Sequence, residues 1–264
     1  RGYLYIRGEY PVAEARLRRA IAEAEAAGLL GEGILGTSLG FDIEIRRGAG
    51  AYICGEETAL MNSIEGFRGE PRNKPPFPTD RGLFGRPTVI NNVETLVNVL
   101  DIVTDGGGAF AAIGTEESTG PKLFCLAGSV GRPGVYEVPM GTTLRALLEQ
   151  AGGVEGELGA VLLGGAAGTF VGPDHLDMPL TFEDARARGT TLGSGVVMVF
   201  TQTTDFAATL RRIAAFFRDE SCGQCVPCRV GTVRQEELLA RHLGGAPLEA
   251  ELLDEIALVM GRSE

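Results

Sequence analysis

Three cysteines at two-residue gaps, Cys222, Cys225 and Cys228 in the run Ser221-Cys-Gly-Gln-Cys-Val-Pro-Cys-Arg229, constrain this chain more than any other feature. Core packing does not call for that spacing, whereas three thiolates so placed can converge on one metal centre where a loop curls into a helix. N–H groups at the helix start would then face anionic sulfur, and Arg229 would add positive charge. Three readings compete. A cubane iron–sulfur cluster takes four cysteines, and a double Cys-x2-Cys step is its hallmark. A structural zinc site would need His242, the only nearby extra donor, at a spacing longer than finger patterns use. Small inert core thiols are the plain alternative. The ferredoxin pattern would continue with Cys-Pro after three more residues, but Arg229-Val-Gly-Thr232 follows instead. Cys54 and Cys125 lie in other, strand-like stretches and are expected to be structural. The fourth ligand is therefore expected beyond residue 264, and the chain is expected to be a segment of a longer protein.

Bulk properties narrow the partners. A net charge of -11 over 264 residues disfavours nucleic acid and anionic membrane surfaces. No apolar run reaches the length of a membrane span, so direct membrane insertion is not expected. Five cysteines are an odd number that does not suggest a secreted disulfide framework, which points to a reducing, cytoplasmic setting.

Periodicity divides the chain into three textures. Residues 1–10 alternate as a strand, Pro11 opens a helix with Leu17, Ile21 and Ala24 on one face, and Gly28 stops it. Phe41–Ile45 reads as a second strand, followed by a glycine-bearing turn and a short helix over Thr58–Ile64. A strand–helix–strand step is the unit of an α/β layer. Residues 66–90 hold five prolines and four glycines and are expected to form an ordered or binding loop. Asn91 and Glu94 are spaced for a capping box on a helix to about Val103. Strands over 122–130, 134–138, 161–163 and 196–200, with a helix over Thr143–Gln150, predict a small α+β module. From Asp205 the chain is helical, with Phe206, Leu210, Ile213 and Phe217 as one apolar stripe, and the helix resumes at Val230 after the cysteine run.

Four ordered runs carry a family resemblance: Ala51-Tyr-Ile-Cys-Gly-Glu-Glu-Thr-Ala-Leu60, Asn73-Lys-Pro-Pro-Phe-Pro78, Ile90-Asn-Asn-Val-Glu-Thr95 and Glu220-Ser-Cys-Gly-Gln-Cys-Val-Pro-Cys-Arg229. Together they resemble the flavin-bearing, NADH-oxidising subunit of respiratory complex I. The same subunit type serves as the diaphorase of NAD-dependent formate dehydrogenases and NAD-reducing hydrogenases. The resemblance implies the C-terminal half of a Rossmann-like FMN/NADH-binding domain over 1–118, a β-grasp (soluble-ligand-binding) module over 121–203, and a truncated helical iron–sulfur domain over 205–264. It implies FMN, a 4Fe-4S cluster and NAD(H) as cofactors and substrate. It also implies a 2Fe-2S thioredoxin-like subunit and a larger redox complex as partners, placed peripherally at the inner face of the membrane. The family's Gly-rich flavin loop does not occur in these residues, nor does its fourth cluster cysteine after a stretch like 261–263, so this segment alone is expected to be inactive.

By that resemblance Cys222, Cys225 and Cys228 ligate the cluster. Tyr52, Gly55, Glu56 and Glu57 match the second flavin-contacting loop, with Gly55 admitting close backbone approach and the carboxylates accepting hydroxyl hydrogen bonds. Glu56 and Glu57 equally suit a plain helix N-terminus. Asn91 and Asn92 match the motif near the flavin phosphate, where a helix start also makes an anion site. Lys74 and Phe77 match positions lining the NADH entrance. No acid–base catalytic residue is implied, because the cofactors carry the hydride chemistry. The bland competitors are a non-catalytic electron relay or scaffold, and a zinc-stabilised binding module.

Overall fold

The computed structural model describes residues 1–262. The end of the Gly261–Glu264 stretch, Ser263 and Glu264, lies outside the described residues. The chain divides into two units, one of residues 1–90 with 210–264, the other of residues 91–209.

The first unit opens with β1 (Gly2–Ile6), α1 (Pro11–Ala26) and β2 (Ile43–Arg47), and the two strands pair in parallel with Gly2 opposite Ile43. Parallel neighbours require a crossover, and α1 supplies it. The strand expected at Phe41–Ile45 starts two residues later, because Phe41 instead bridges Gly31 antiparallel. A 3-10 turn over Tyr52–Gly55 leads into α2 (Glu57–Glu65). Gly66 at φ +86° ends α2, and the Phe67 N–H reaches back to the Asn62 carbonyl at 2.8 Å. Met61, Ile64 and Leu83 form a small buried cluster beneath Tyr3 and Tyr5.

The Pro-rich segment is more anchored than a bare loop. It contains α3 (Pro78–Arg81) and a 3-10 turn, and α2 grips it with three side chains. Glu65 accepts from Arg72 Nη2 at 2.6 Å and from the Phe84 N–H at 2.7 Å. Asn62 Oδ1 accepts from Arg72 Nε, and the Thr58 hydroxyl from the Arg72 N–H, both at 2.8 Å. A chain too rich in proline for ladder bonding is thus ordered by side-chain acceptors on one helix.

The second unit starts with α4 (Val93–Asp105) and α5 (Gly107–Ala111). It continues through β3 (Pro121–Gly128), β4 (Gly134–Pro139), α6 (Leu144–Gln150), β5 (Leu158–Leu163), β6 (Thr169–Val171), α7 (Phe182–Ala187) and β7 (Val196–Thr201). The sheet order is β4-β3-β7-β5-β6, with β3 and β7 parallel at its centre and the outer pairings antiparallel. That is a β-grasp sheet, and α6 packs Leu144, Leu147 and Leu148 into its core with Phe124, Leu126, Val161 and Val199. Alternation sets the faces: in β3, Phe124 and Leu126 are buried while Leu123 and Cys125 are exposed.

Three helices close the chain: α8 (Phe206–Glu220), α9 (Val226–Leu243) and α10 (Ala250–Gly261). Within the first unit, buried Glu236 of α9 accepts from Arg211 at 3.0 Å and Arg218 at 3.2 Å, clamping α9 to α8. Gly231 admits α10, since a methyl there would collide with Met260 and crowd Ile256.

Phe124→Ala is expected to cost about 3–5 kcal/mol of stability through cavity formation. Cys125→Ser, one residue along on the exposed face, is expected to stay within about 0.5 kcal/mol. Urea denaturation read by circular dichroism measures both.

Candidate functional site

Glu56 is the N-cap of α2, and its geometry settles what the Glu56-Glu57 pair does locally. Its Oε2 accepts from the Thr58 N–H at 2.8 Å, the Ala59 N–H at 2.8 Å and the Thr58 hydroxyl at 2.6 Å. The two N–H groups are helix-end donors that the backbone cannot satisfy alone. The other oxygen, Oε1, accepts from Lys74 Nζ at 3.1 Å, and the same ammonium meets Glu57 Oε1 at 2.5 Å. The Pro-rich loop is thereby pinned to the start of α2 by one cation shared between two carboxylates.

Burial acting alone would raise the Glu56 pKa. The hydrogen bonds from Thr58, Ala59 and Lys74 outweigh it and hold the carboxyl below the usual glutamate range. Hydrogen bonds to Glu57 and then Glu56 push Lys74 above the usual lysine value. The Lys74 ammonium expected at a nucleotide entrance is therefore already engaged. Phe77, immediately before α3, keeps about half of its surface exposed at 52%.

Gly55 stands at the end of the preceding 3-10 turn. Its φ is not in the left-handed region, and an added Cβ would meet no atom within 4 Å. Neither local conformation nor packing in this chain requires glycine there, and the space beside it is open. Behind the turn, Cys54 is buried against Gly69, where a Cβ would lie 2.5 Å from the Cys54 sulfur. Cys54 thus sits in a 3-10 turn rather than the expected strand-like stretch, and it serves packing.

Tyr52 opens the same turn and turns toward the C-terminal helices of its unit. Its N–H donates to Glu220 Oε2 at 2.9 Å, and its ring meets Phe216 edge-on at 5.3 Å between centroids. One step along the chain lies the cysteine run. Cys225 is the N-cap of α9 with no side-chain cap bond, Cys228 is in its first turn, and Cys222 precedes it in a loop. The helix begins at Val226, four residues earlier than expected, because Pro227 is well tolerated in a first turn. Arg68 Nη2 donates to the Cys222 carbonyl, Arg229 Nη1 to the Gly223 carbonyl at 2.8 Å, and Ser221 Oγ lies 3.5 Å from Cys228 Sγ.

Among the described residues, no three or more His, Cys, Asp or Glu side chains are gathered so as to hold a metal ion. The donor set nevertheless suits thiophilic iron. All three thiols are free and half-buried, and they bracket a helix start whose orphan N–H groups lack a side-chain cap. His242 points elsewhere, with Nδ1 3.0 Å from the Ala246 carbonyl.

Asn91 and Asn92 belong to the second unit. The capping box expected at Asn91 shifts by one residue: Asn92 is the N-cap of α4, and its Oδ1 accepts from the Glu94 N–H at 3.3 Å. Glu94 does not close the box, because it accepts from the Leu123 N–H at 3.0 Å and from Lys122 at 3.4 Å. Sequence reasoning gave no role to Arg68 or Glu220. Both make their contacts to partners more than 150 residues away, which no local periodicity reports.

Residues 1–101 match the family described as Nuo51 FMN-binding domain, residues 123–163 the SLBB domain, and residues 208–264 the NADH-ubiquinone oxidoreductase-F iron-sulfur binding region. The second NADH-quinone oxidoreductase F subunit of Rhizobium meliloti (strain 1021) is 50% identical over 246 residues, covering 92% of this chain and 58% of that protein. The corresponding F subunit of Escherichia coli (strain K12) is 44% identical over 266 residues, 99% of this chain and 60% of that protein. The chain is a homologue of NADH-quinone oxidoreductase F subunits.

The NADP-reducing hydrogenase subunit HndC of Solidesulfovibrio fructosivorans is 44% identical over 255 residues, covering 96% of this chain and 52% of that protein. A crystal structure of an NAD+-reducing [NiFe]-hydrogenase in the H2-reduced state superposes with a TM-score of 0.83 at 40% identity, over 97% of this chain and 43% of that one. The chain thus spans somewhat over half the length of its curated relatives. Among the described residues, no helix is long and apolar enough to cross a membrane.

Glu56→Ala is expected to destabilise α2 by about 1 kcal/mol through loss of the cap. The Glu56 pKa is depressed, so its contribution is fully present above the ordinary glutamate value and is lost as pH falls through the folded value. The Lys74 pKa is raised, so its contribution is present below the ordinary lysine value and is lost as pH rises through the folded one. An NMR titration of the Glu56 carboxyl carbon checks the acid limb, and a midpoint at or above the ordinary glutamate value would refute it.

Proposed function

We propose that this chain is the flavin-turn and cluster-bearing portion of an NADH dehydrogenase (diaphorase) subunit, passing electrons from NADH through FMN to a 4Fe-4S cluster and on to a respiratory quinone reductase. A bound FMN would supply the conversion between a two-electron hydride and single electrons that links a nicotinamide to a one-electron cluster. The observation that carries the reading is a junction within one unit. The Tyr52 N–H and ring bind Glu220 and Phe216, and Arg68 binds Cys222, so the turn matching the flavin loop adjoins the loop matching the cluster motif.

Each residue has a part in that reading. Gly55 leaves open space for the edge of a flat ligand, and Tyr52, three residues before it, and Phe77 of the Pro-rich segment are partly exposed rings available for stacking. Glu56 and Glu57 orient hydroxyl groups, and Lys74 holds the two carboxylates until an anionic nucleotide competes for its ammonium. Asn92, at the N-cap of α4, and its neighbour Asn91 supply amide and N–H donors for a phosphate. Cys222, Cys225 and Cys228 supply three thiolates.

The family matches support a division into an FMN/NADH part over 1–118, a β-grasp part over 121–203 and a helical iron–sulfur part over 205–264. Partners in this reading are a 2Fe-2S thioredoxin-like subunit and a larger redox complex. The setting is cytoplasmic, peripheral to the inner face of the membrane. The resemblance to HndC and to the NAD+-reducing hydrogenase favours a second reading, in which the same diaphorase serves a hydrogenase or a formate dehydrogenase.

Protein made anaerobically from the full-length gene tests the reading. About one flavin and four irons per chain, with flavin bands that bleach on adding NADH, are expected. Iron without flavin would make the protein a relay, and zinc without iron a binding module; either result overturns the proposal. Hydrogen-driven or formate-driven nicotinamide reduction by the purified native complex, in place of quinone reduction, would select the second reading.

A further inference from the structure

Two guanidinium groups hold consecutive carbonyls of the cysteine loop, and they arrive from opposite sides of the sequence. Arg68, in the Pro-rich segment, donates to the Cys222 carbonyl across 154 residues, while Arg229, in the first turn of α9, donates to the Gly223 carbonyl at 2.8 Å. Gly223 between them has φ +75°, the left-handed region that glycine enters without strain. A Cβ added there would lie 3.4 Å from Arg68 Nη2 and 3.7 Å from Arg229 Cδ, so the two side chains close around this one residue. The Gly223 N–H turns the other way, to Ser221 Oγ at 3.3 Å, and that hydroxyl lies 3.5 Å from Cys228 Sγ.

Charge follows from the same geometry. Arg68 has a partial counter-ion, Glu70, at 4.0 Å. Among the described residues no carboxylate lies within ion-pair distance of Arg229. Two cations therefore sit on the backbone between the first and second thiols, one of them uncompensated. Reduction of a thiolate-bound cluster adds negative charge, and neighbouring cations stabilise the more negative state.

We infer that Arg68 and Arg229 are positioning residues that fix the Cys222–Gly223 backbone and raise the reduction potential of the cluster held by this loop, with Arg229 the stronger. The inference rests on the cluster reading above. Its chemical sense is acceptance: a raised potential makes the loop's cluster a better taker of single electrons. Neither arginine donates to a thiol directly, so each acts through loop geometry and charge.

The test is an EPR redox titration of the full-length, anaerobically reconstituted protein, with iron content measured beside it. Arg229→Gln is expected to keep its iron and shift the oxidised-to-reduced ratio at fixed poise about tenfold toward oxidised, or 59 mV for a one-electron couple. Arg68→Gln is expected to shift it the same way by less, and Arg229→Lys, which keeps the charge, to recover most of the loss. Full iron with an unmoved midpoint in both Gln variants overturns the inference. Loss of the cluster from both also overturns it, because the arginines would then be structural only. Wild-type protein that takes up no iron would sink the cluster reading itself.

Discussion

The carboxylate of Glu220 receives the amide of Tyr52 across 168 residues of sequence, and the arrangement of the candidate site depends on that contact. Joining segments so far apart costs chain entropy that rises slowly with separation. A single partly exposed hydrogen bond contributes about 1 kcal/mol net, too little to set the arrangement alone. It is reinforced by the Tyr52–Phe216 ring contact and by the bond from Arg68 to Cys222. Together these three contacts fasten the 52–57 turn and the Pro-rich segment to the end of α8 and the cysteine loop, all within one unit.

Local signals carried much of the architecture. Pro11 at the helix start, the strand texture over 122–130 and the helix over Thr143–Gln150 all gave elements close to where the structure has them. Errors fell where a hydrogen-bonding group had more than one candidate partner. Asn91 and Asn92 both suit an N-cap, and the competition of Lys122 and Leu123 for Glu94 removed the reciprocal half of the capping box. Phe41 left its expected strand for a bridge to Gly31. Proline content marked residues 66–90 as an ordered or binding loop but hid what holds it, because the anchors are the side chains of Asn62, Glu65 and Thr58 rather than backbone ladders. The cysteine spacing and the charge of Arg229 were plain in the sequence, but the approach of Arg68 to the loop and the role of Glu220 were not, since one partner of each of those long-range bonds lies in another motif.

Glu56 illustrates why structural and binding roles need not compete. One of its oxygens is committed to the first turn of α2, while the other faces Lys74. The first commitment is a helix-end requirement, satisfied whether or not a ligand binds. The second is an exposed ion pair of modest worth, which an anionic group could displace. A carboxylate fixed at one oxygen and exchangeable at the other is pre-oriented for hydroxyl recognition without losing its cap.

Hydrogen exchange, followed by mass spectrometry on the full-length protein with and without Glu220→Ala, tests most directly whether the turn and the cysteine loop move as one. Coupled loosening is the predicted result: faster exchange at Tyr52–Glu57 and, with it, at Ser221–Arg229, with the β-grasp core unchanged. Faster exchange around residue 220 alone, with Tyr52–Glu57 as protected as before, would contradict it.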